Sequence, residues 1–236
     1  MAIIEFRNVC KKYLMGEVTI NALHDASFTI NKGELVCILG PSGAGKTTCL
    51  NILGGMDSPT SGDVIVDGVN ISCLKGKNII KYRRKDIGFV FQFYNLVSNL
   101  TAIENVELAV QLTKDHLEPK EALKLVGLEN RLNNFPSQLS GGEQQRVAVA
   151  RAIAKHPKVL LCDEPTGALD YKTGKQVLAL LQDCARKNNM TVIIVTHNSA
   201  IKDMADKVIH FKNGTVTKIE INKNPTPIEM ISCHKE

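Results

Sequence analysis

Three short stretches of the 236-residue chain hold residues whose types and spacing point to chemistry. The first is GPSGAGKTT, residues 40–48, which fits the spacing G-x-x-x-x-G-K-[ST]. Glycines leave the backbone bare, so consecutive amides can wrap a phosphate, and a lysine and a hydroxyl follow at once. The amides from Gly40 through Ser42, Gly43, Ala44 and Gly45 to Lys46, Thr47 and Thr48 make the cradle. Lys46 reaches the β and γ phosphates of a nucleotide, and the Thr47 hydroxyl goes to Mg²⁺. The second stretch is VLLCDEP, residues 159–165, four apolar residues and then two carboxylates. Successive strand residues face opposite ways, so Asp163 and Glu164 are free for different tasks. Asp163 holds the metal, directly or through water, and Glu164 polarises the attacking water as general base.

The third stretch is LSGGEQQR, residues 139–146. Ser140 and Glu143 have capping-box spacing before the apolar-periodic run VAVARAIA. Gly141 and Gly142 in the first turn each cost such a helix about 1 kcal/mol against Ala. Bare amides at a helix N-terminus suit an anion, yet the chain already has one phosphate loop. Two further polar residues end apolar runs, Gln92 in FVFQFYN and His197 in VIIVTHN. His197 gains interest because doubly wound sheets bind their ligands at strand ends.

The elements around these residues read as an α/β chain. IIEFRNV and ASFTI alternate like strands and flank a loop with Tyr13 and Gly16. ELVCIL is a buried strand running into the first glycine loop, with a helix over about 46–55 behind it. Strands follow in DVIVDG and IGFVFQ. From about 101 to 156 the texture turns helical, with Pro119 placed for a first turn. KVLLCDE returns as a buried strand, followed by a helix over about 171–187, the strand TVIIVTH and a helix over about 198–205. KVIHFKNGTVTKIEI is a hairpin around Asn213-Gly214. The tail, with Pro225 and Pro227, reads as poorly ordered. The expected fold class is thus α/β, a P-loop NTPase core sheet with an N-terminal antiparallel β subdomain and an inserted α-helical subdomain. Residues 1–221 would form one nucleotide-binding domain, with the helical insert at about 101–156 and a C-terminal tail at 222–236.

Composition is ordinary for a globular protein, 44% hydrophobic and 22% charged. No apolar run approaches a membrane span, and MAIIEFRNVC has no signal-peptide pattern. Ala2 excludes myristoylation, and CHKE around Cys233 is not a prenylation box. Seven cysteines with no C-x-x-C pair read as thiols in a reducing compartment. The formal net charge is +5, and the densest basic run, KYRRK at 81–85, reads as a solvated helix face.

Taken in order, Tyr13, GPSGAGKTT, Gln92, LSGGE, CDEP, Ala168-Leu169-Asp170 and His197 resemble the ATP-binding cassette (ABC) ATPases over residues 1 to about 221. The resemblance implies ATP and Mg²⁺ as ligands. It also implies two cassettes packed head to tail, each ATP lying between the P-loop of one and the LSGG of the other. By the same resemblance Tyr13 stacks on adenine, and Ser42 adds a hydroxyl near the γ-phosphate. Gln92 touches and senses Mg²⁺, and His197 contacts the γ-phosphate. Ser140 and Gly142, with Gly141 between them, serve the partner's γ-phosphate, and Asp170 sits at the dimer seam. Asn198 departs from the acid many relatives carry there.

FQFYNLVSNLTAIENVELA, LSGGEQQRVAVARAI and PTGALDYKTG resemble cassettes of lipoprotein-releasing, MacB-type macrolide-exporting and antimicrobial-peptide-handling transporters. That implies a permease with a large extracytoplasmic domain, an identical partner cassette and a peripheral place on the cytoplasmic face of the membrane. Phe93, Tyr94 and Leu96 are expected to form an exposed apolar cluster that docks the permease. Two alternatives remain: a soluble ABC ATPase acting on nucleic acid or ribosomes, and the ATPase of a small-solute uptake system. Against the first, this chain has one cassette, no sustained heptads and no C-x-x-C pair, whereas such relatives carry a coiled coil, zinc cysteine pairs or two cassettes, so no nucleic-acid partner is expected.

Overall fold

Alternating apolar residues near the N-terminus form two long antiparallel strands, β1 (Ala2–Met15) and β2 (Val18–Asn31), in this computed structural model, which describes residues 1–111 and 113–231. Cys233 lies outside the described residues. The strands turn at Gly16, whose φ of +62° suits glycine. Tyr13, expected in a loop, is on β1 opposite Ile20, because pairing continues to the turn.

The apolar run after this hairpin forms β3 (Leu35–Leu39) and leads through the glycine loop into α1 (Lys46–Leu53). β4 (Ser61–Val66) and the short β5 (Val69–Asn70) return to the first sheet, giving the order β2-β1-β4-β5. Next come α2 (Lys77–Lys85), which carries the KYRRK run, and β6 (Ile87–Val90). Three helices follow, α3 (Ala102–Val110), α4 (Pro119–Leu125) and α5 (Gly141–Ile153). Both α3 and α5 start with a capping box, Thr101 with Glu104 and Ser140 with Glu143. The chain then alternates β7 (Val159–Asp163), α6 (Tyr171–Asn188) and β8 (Thr191–Thr196). It ends in the hairpin β9 (Lys207–Lys212) and β10 (Thr215–Ile221), turned at Asn213-Gly214 with both φ positive. Where a helix over 198–205 was expected there is a 3₁₀ turn, Ser199–Met204.

The second sheet has the order β10-β9-β3-β8-β7-β6, parallel except for β10. Its central strands are buried on both faces, as parallel sheets are. Their period of two deals residues to two cores. Leu35, Cys37, Leu160, Cys162, Val192 and Ile194 face α3–α6, while Val36, Ile38, Val159, Leu161, Ile193 and Val195 face α1 and the antiparallel sheet.

The tail expectation needs correction for residues 222–231. Ile228 is fully buried against α6. The Gln182 side chain donates to the Met204 and Thr226 carbonyls and accepts from the Ile228 amide at 3.0 Å. Lys175 Nζ donates to the Glu229 and Ile231 carbonyls. The two prolines hold an extended path, and the buried isoleucine with these bonds outweighs the tail's entropy.

Candidate functional site

The first glycine loop spans the step from β3 to α1. Gly45 is the N-cap of α1 at φ +96°, and no side chain caps the helix, so its first amides face outward. A Cβ at Gly45 would lie 2.5 Å from the Ala22 carbonyl, so only glycine lets the loop seat against β2. Lys46 is nearly buried, with Nζ donating to the Gly40 and Pro41 carbonyls at 2.8 and 2.9 Å. The ammonium is therefore folded back across the loop it would serve.

This loop walls a cavity of about 680 Å³. The other walls are Ile20, Asn21 and Ala22 of β2, then Gln92 just past β6, Asp163 and Glu164 at the end of β7, and Val195 and His197 at the end of β8. Parallel strands place their C-terminal ends on one edge, which is why residues so far apart in sequence meet here. Ser42, Gly43, Ala44, Thr47 and Thr48 all line it. Tyr13 is not in the wall; it pairs across the strands with Ile20, which is, and its hydroxyl donates to Asp57 at 2.6 Å.

The two carboxylates diverge. The Thr47 hydroxyl donates to Asp163 at 3.4 Å. Burial raises the Asp163 pKa, and the Glu164 charge adds to that; Thr47 and Lys46 oppose it without cancelling it. A cation beside Asp163 would relieve this cost. Thr47, Gln92 and Asp163 offer only oxygen ligands on this side, which fits a small hard cation completing its shell with phosphate and water. Glu164 has left the strand at φ +45°, in the left-handed region uncommon for a side-chain-bearing residue. Its Oε2 accepts from the Thr196 hydroxyl at 2.8 Å, and its Oε1 from the His197 amide and ring Nδ1 at 2.9 and 2.8 Å.

Sequence reasoning missed Thr196. It also missed Gln145, fully buried, whose amide nitrogen donates to the Phe91 and Pro165 carbonyls and so ties the Gln92 segment to the CDEP loop. Arg151 donates to the Tyr94 and Asn95 carbonyls of the same segment. Asn105, buried on α3, bonds Val97, Leu100 and Thr101. Asn105, Gln145 and Arg151 sat in an apolar helical pattern, where a polar residue at a core position was the available signal.

The second glycine loop does not line the first cavity. Ser140 caps α5 and is exposed, Gly141 is half-buried and Gly142 is buried. A Cβ on Gly141 would meet the Tyr94 hydroxyl at 2.7 Å, and one on Gly142 would meet Thr173 Cγ2 at 2.0 Å. Asp170 caps α6, accepting from the Thr173 amide at 3.1 Å. The expected apolar docking cluster is only partly exposed: Phe93 is 72% exposed, whereas Tyr94 packs on Gly141 and Leu96 packs on the core. Left-handed φ values at Tyr94 and Asn95 turn the chain inward there.

Residues 23–167 match the family model described as ABC transporter. The chain is 45% identical over 226 residues to an ABC transporter ATP-binding protein of Methanocaldococcus jannaschii, MJ0796, covering 92% of this chain and 96% of that one. A structure of MJ0796, a dimer in a post-hydrolysis state bound to ADP and Pi, superposes with a TM-score of 0.86 over 94% of this chain and 99% of that chain. The lipoprotein-releasing system protein LolD of Syntrophotalea carbinolica is 43% identical over 221 residues, 92% of this chain and 97% of LolD. The macrolide export protein MacB of Pectobacterium atrosepticum is 43% identical over 220 residues, 91% of this chain but 34% of MacB. With its fold matched over nearly its whole length and with MJ0796 and LolD aligned almost end to end, the chain belongs to the ABC transporter family and is an ATP-binding, ATP-hydrolysing cassette of it.

Proposed function

We propose that this cassette works as one of an identical pair that powers a membrane permease with an extracytoplasmic domain, in export or extraction of lipoproteins, macrolides or antimicrobial peptides. The observation that carries the branch is the alignment with LolD over 97% of its length, joined by that with MacB. No described helix is long and apolar enough to cross a membrane. In this reading, which follows the family, the permease supplies the spans and the cassette sits peripherally on the cytoplasmic face.

ATP lies in the cavity with its phosphates on the amides from Gly40 to Thr48. Lys46 swings from the Gly40 and Pro41 carbonyls to the β and γ phosphates, and Ser42 reaches the γ-phosphate. Thr47, Asp163 and Gln92 hold Mg²⁺, which when bound neutralises charge on the phosphates. Glu164 takes a proton from the attacking water and His197 faces the γ-phosphate. Ser140, Gly141 and Gly142 serve the ATP of the partner, and Asp170 lies at the seam. The separation of the second glycine loop from the first cavity supports this: amides that cannot reach their own chain's phosphate are free for another's.

Light scattering of Glu164→Gln with ATP or ADP tests the pair. Hydrolysis should fall roughly 10²- to 10⁴-fold, and retained ATP should hold a dimer by mass action, while ADP leaves a monomer. Adding Ser140→Arg should abolish the dimer but not ATP binding. A double mutant that still dimerises with ATP would sink the head-to-tail reading. Lys46→Ala with undiminished turnover would sink the P-loop assignment. For the substrate branch, the cassette should co-purify with a permease bearing a long extracytoplasmic segment; recovery with a binding-protein-dependent permease would favour uptake.

A further inference from the structure

Tyr13 carries a polar cluster with no task yet. Its hydroxyl donates to Asp57 Oδ2 at 2.6 Å, and Lys11 Nζ pairs with Asp57 Oδ1 at 2.5 Å. Lys11 also donates to the Ser58 carbonyl at 2.8 Å and lies over the Tyr13 ring, 4.8 Å from its centroid. Lys11 is 13% and Asp57 28% exposed at the side chain, so the pair is partly shielded from water. Burial disfavours the charged form of Asp57, yet the hydrogen bonds from Lys11, Tyr13 and the Ser58 amide outweigh it and hold its carboxyl below the usual range.

The chain around Asp57 matters as much as its side chain. The amides of Met56 and Asp57 both donate to the Asn51 carbonyl, at 2.8 and 3.2 Å. Asn51 is in α1, the helix whose N-terminus forms the phosphate loop. The Tyr13 phenol is thus tethered to the far end of that helix. A half-buried tyrosine near the end of a hairpin strand would otherwise sample several rotamers. Fixing one before the ligand arrives removes that entropy from binding.

We propose that Asp57, with Lys11 as its counter-ion, is a positioning residue that locks the Tyr13 ring as the platform for the nucleotide base and sets it at a fixed distance from the phosphate loop. With Lys11 over one face of the ring, the base takes the other. The inference rests on Tyr13 being the base platform, and the test separates the two ideas.

Calorimetric titration of the full chain with Mg²⁺ and either ADP or inorganic pyrophosphate decides it, since pyrophosphate has no base. Asp57→Ala should weaken ADP by roughly 3- to 10-fold, the scale of an aromatic stacking contact, and leave pyrophosphate unchanged. Tyr13→Phe, which keeps the ring and loses the hydroxyl, should do the same. Combining the two should add nothing further, because both remove one interaction. Asp57→Asn keeps an acceptor for the phenol and should retain most of the ADP affinity, which guards against a folding defect in the alanine variant. Equal loss for ADP and pyrophosphate, or additive losses in the double mutant, would mean Asp57 acts through the fold and would overturn the inference. ADP affinity weakened by Tyr13→Ala but untouched by Asp57→Ala would overturn it while leaving the platform standing. ADP affinity untouched by Tyr13→Ala would remove the platform itself.

Discussion

The imidazole of His197 and the carboxylate of Glu164 are joined by a 2.8 Å hydrogen bond from Nδ1 to Oε1, and the His197 amide donates to the same oxygen. A carboxylate only accepts, so Nδ1 carries the proton and Nε2 is left for another partner. The expected base and the expected γ-phosphate contact are therefore one hydrogen-bonded unit at the ends of two adjacent parallel strands.

Thr196 completes that unit from β8. It is 2% exposed, and its hydroxyl donates to Glu164 Oε2. Thr196→Val keeps the shape and removes the donor. We expect ATP turnover to fall by roughly 10- to 100-fold, the scale of a hydrogen bond to a charged group, with ATP affinity unchanged. Steady-state assays beside nucleotide titration check this; a normal turnover number would show that the strained Glu164 backbone alone sets the carboxylate.

Asp163 gives a prediction about stability. Its folded pKa is raised, burial being the main cause. A raised carboxyl pKa means the folded state holds the proton more tightly than the unfolded chain. The stability this group contributes is then present at low pH and lost as pH rises through the folded pKa. Asp163→Asn should raise the melting temperature of the nucleotide-free protein at neutral pH, with a gap over the parent that narrows toward pH 4. The same variant should lose Mg²⁺-dependent turnover. A melting temperature that falls at pH 7 would count against this account.

Gly142→Ala pits helix propensity against packing. Alanine favours a helix by about 1 kcal/mol over glycine, but its methyl would sit 2.0 Å from Thr173 Cγ2. Thr173 is β-branched on α6 and stiff, so packing wins and a net loss of about 1–3 kcal/mol is expected. Thr173→Ser removes the obstructing methyl and should restore stability to Gly142→Ala. Denaturant melts of the two single variants and the double variant test the pair; no rescue would mean the clash lies elsewhere.

Phe93 is the most exposed large apolar residue of its segment, at 72%. Phe93→Asp should release the permease on co-purification while leaving the isolated cassette's melting temperature within a few degrees. Leu96→Asp, in contrast, buries a charge against the core and should lower stability outright. Full recovery of permease with Phe93→Asp would exclude Phe93 from the docking surface.

Much of the architecture is local and therefore legible in the sequence. The strand, glycine loop and helix at 35–53 follow from an apolar run, bare glycines and a helix-forming segment in direct succession. The Ser140–Glu143 box and the Asn213-Gly214 turn depend on residues within three positions of each other, so their spacing alone encodes them. The unbroken apolar runs of VLLCD and TVIIVT implied strands buried on both faces, because successive side chains face opposite ways and neither side carries a polar series.

Tertiary structure decided the rest, since those partners are distant in sequence and only packing fixes their distance in space. Tyr13 meets Asp57 across 44 residues, and Glu164 meets Thr196 across 32. Tyr94 turns from the surface onto Gly141 because a buried polar helix face holds its carbonyl through Arg151. The tail at 222–231 looks disordered by composition, yet one isoleucine fits a hydrophobic seat on α6 and Gln182 satisfies the backbone around it. Composition reports what a segment can bury by itself, whereas the seat exists only after α6 and the Ser199–Met204 turn have packed against the sheet.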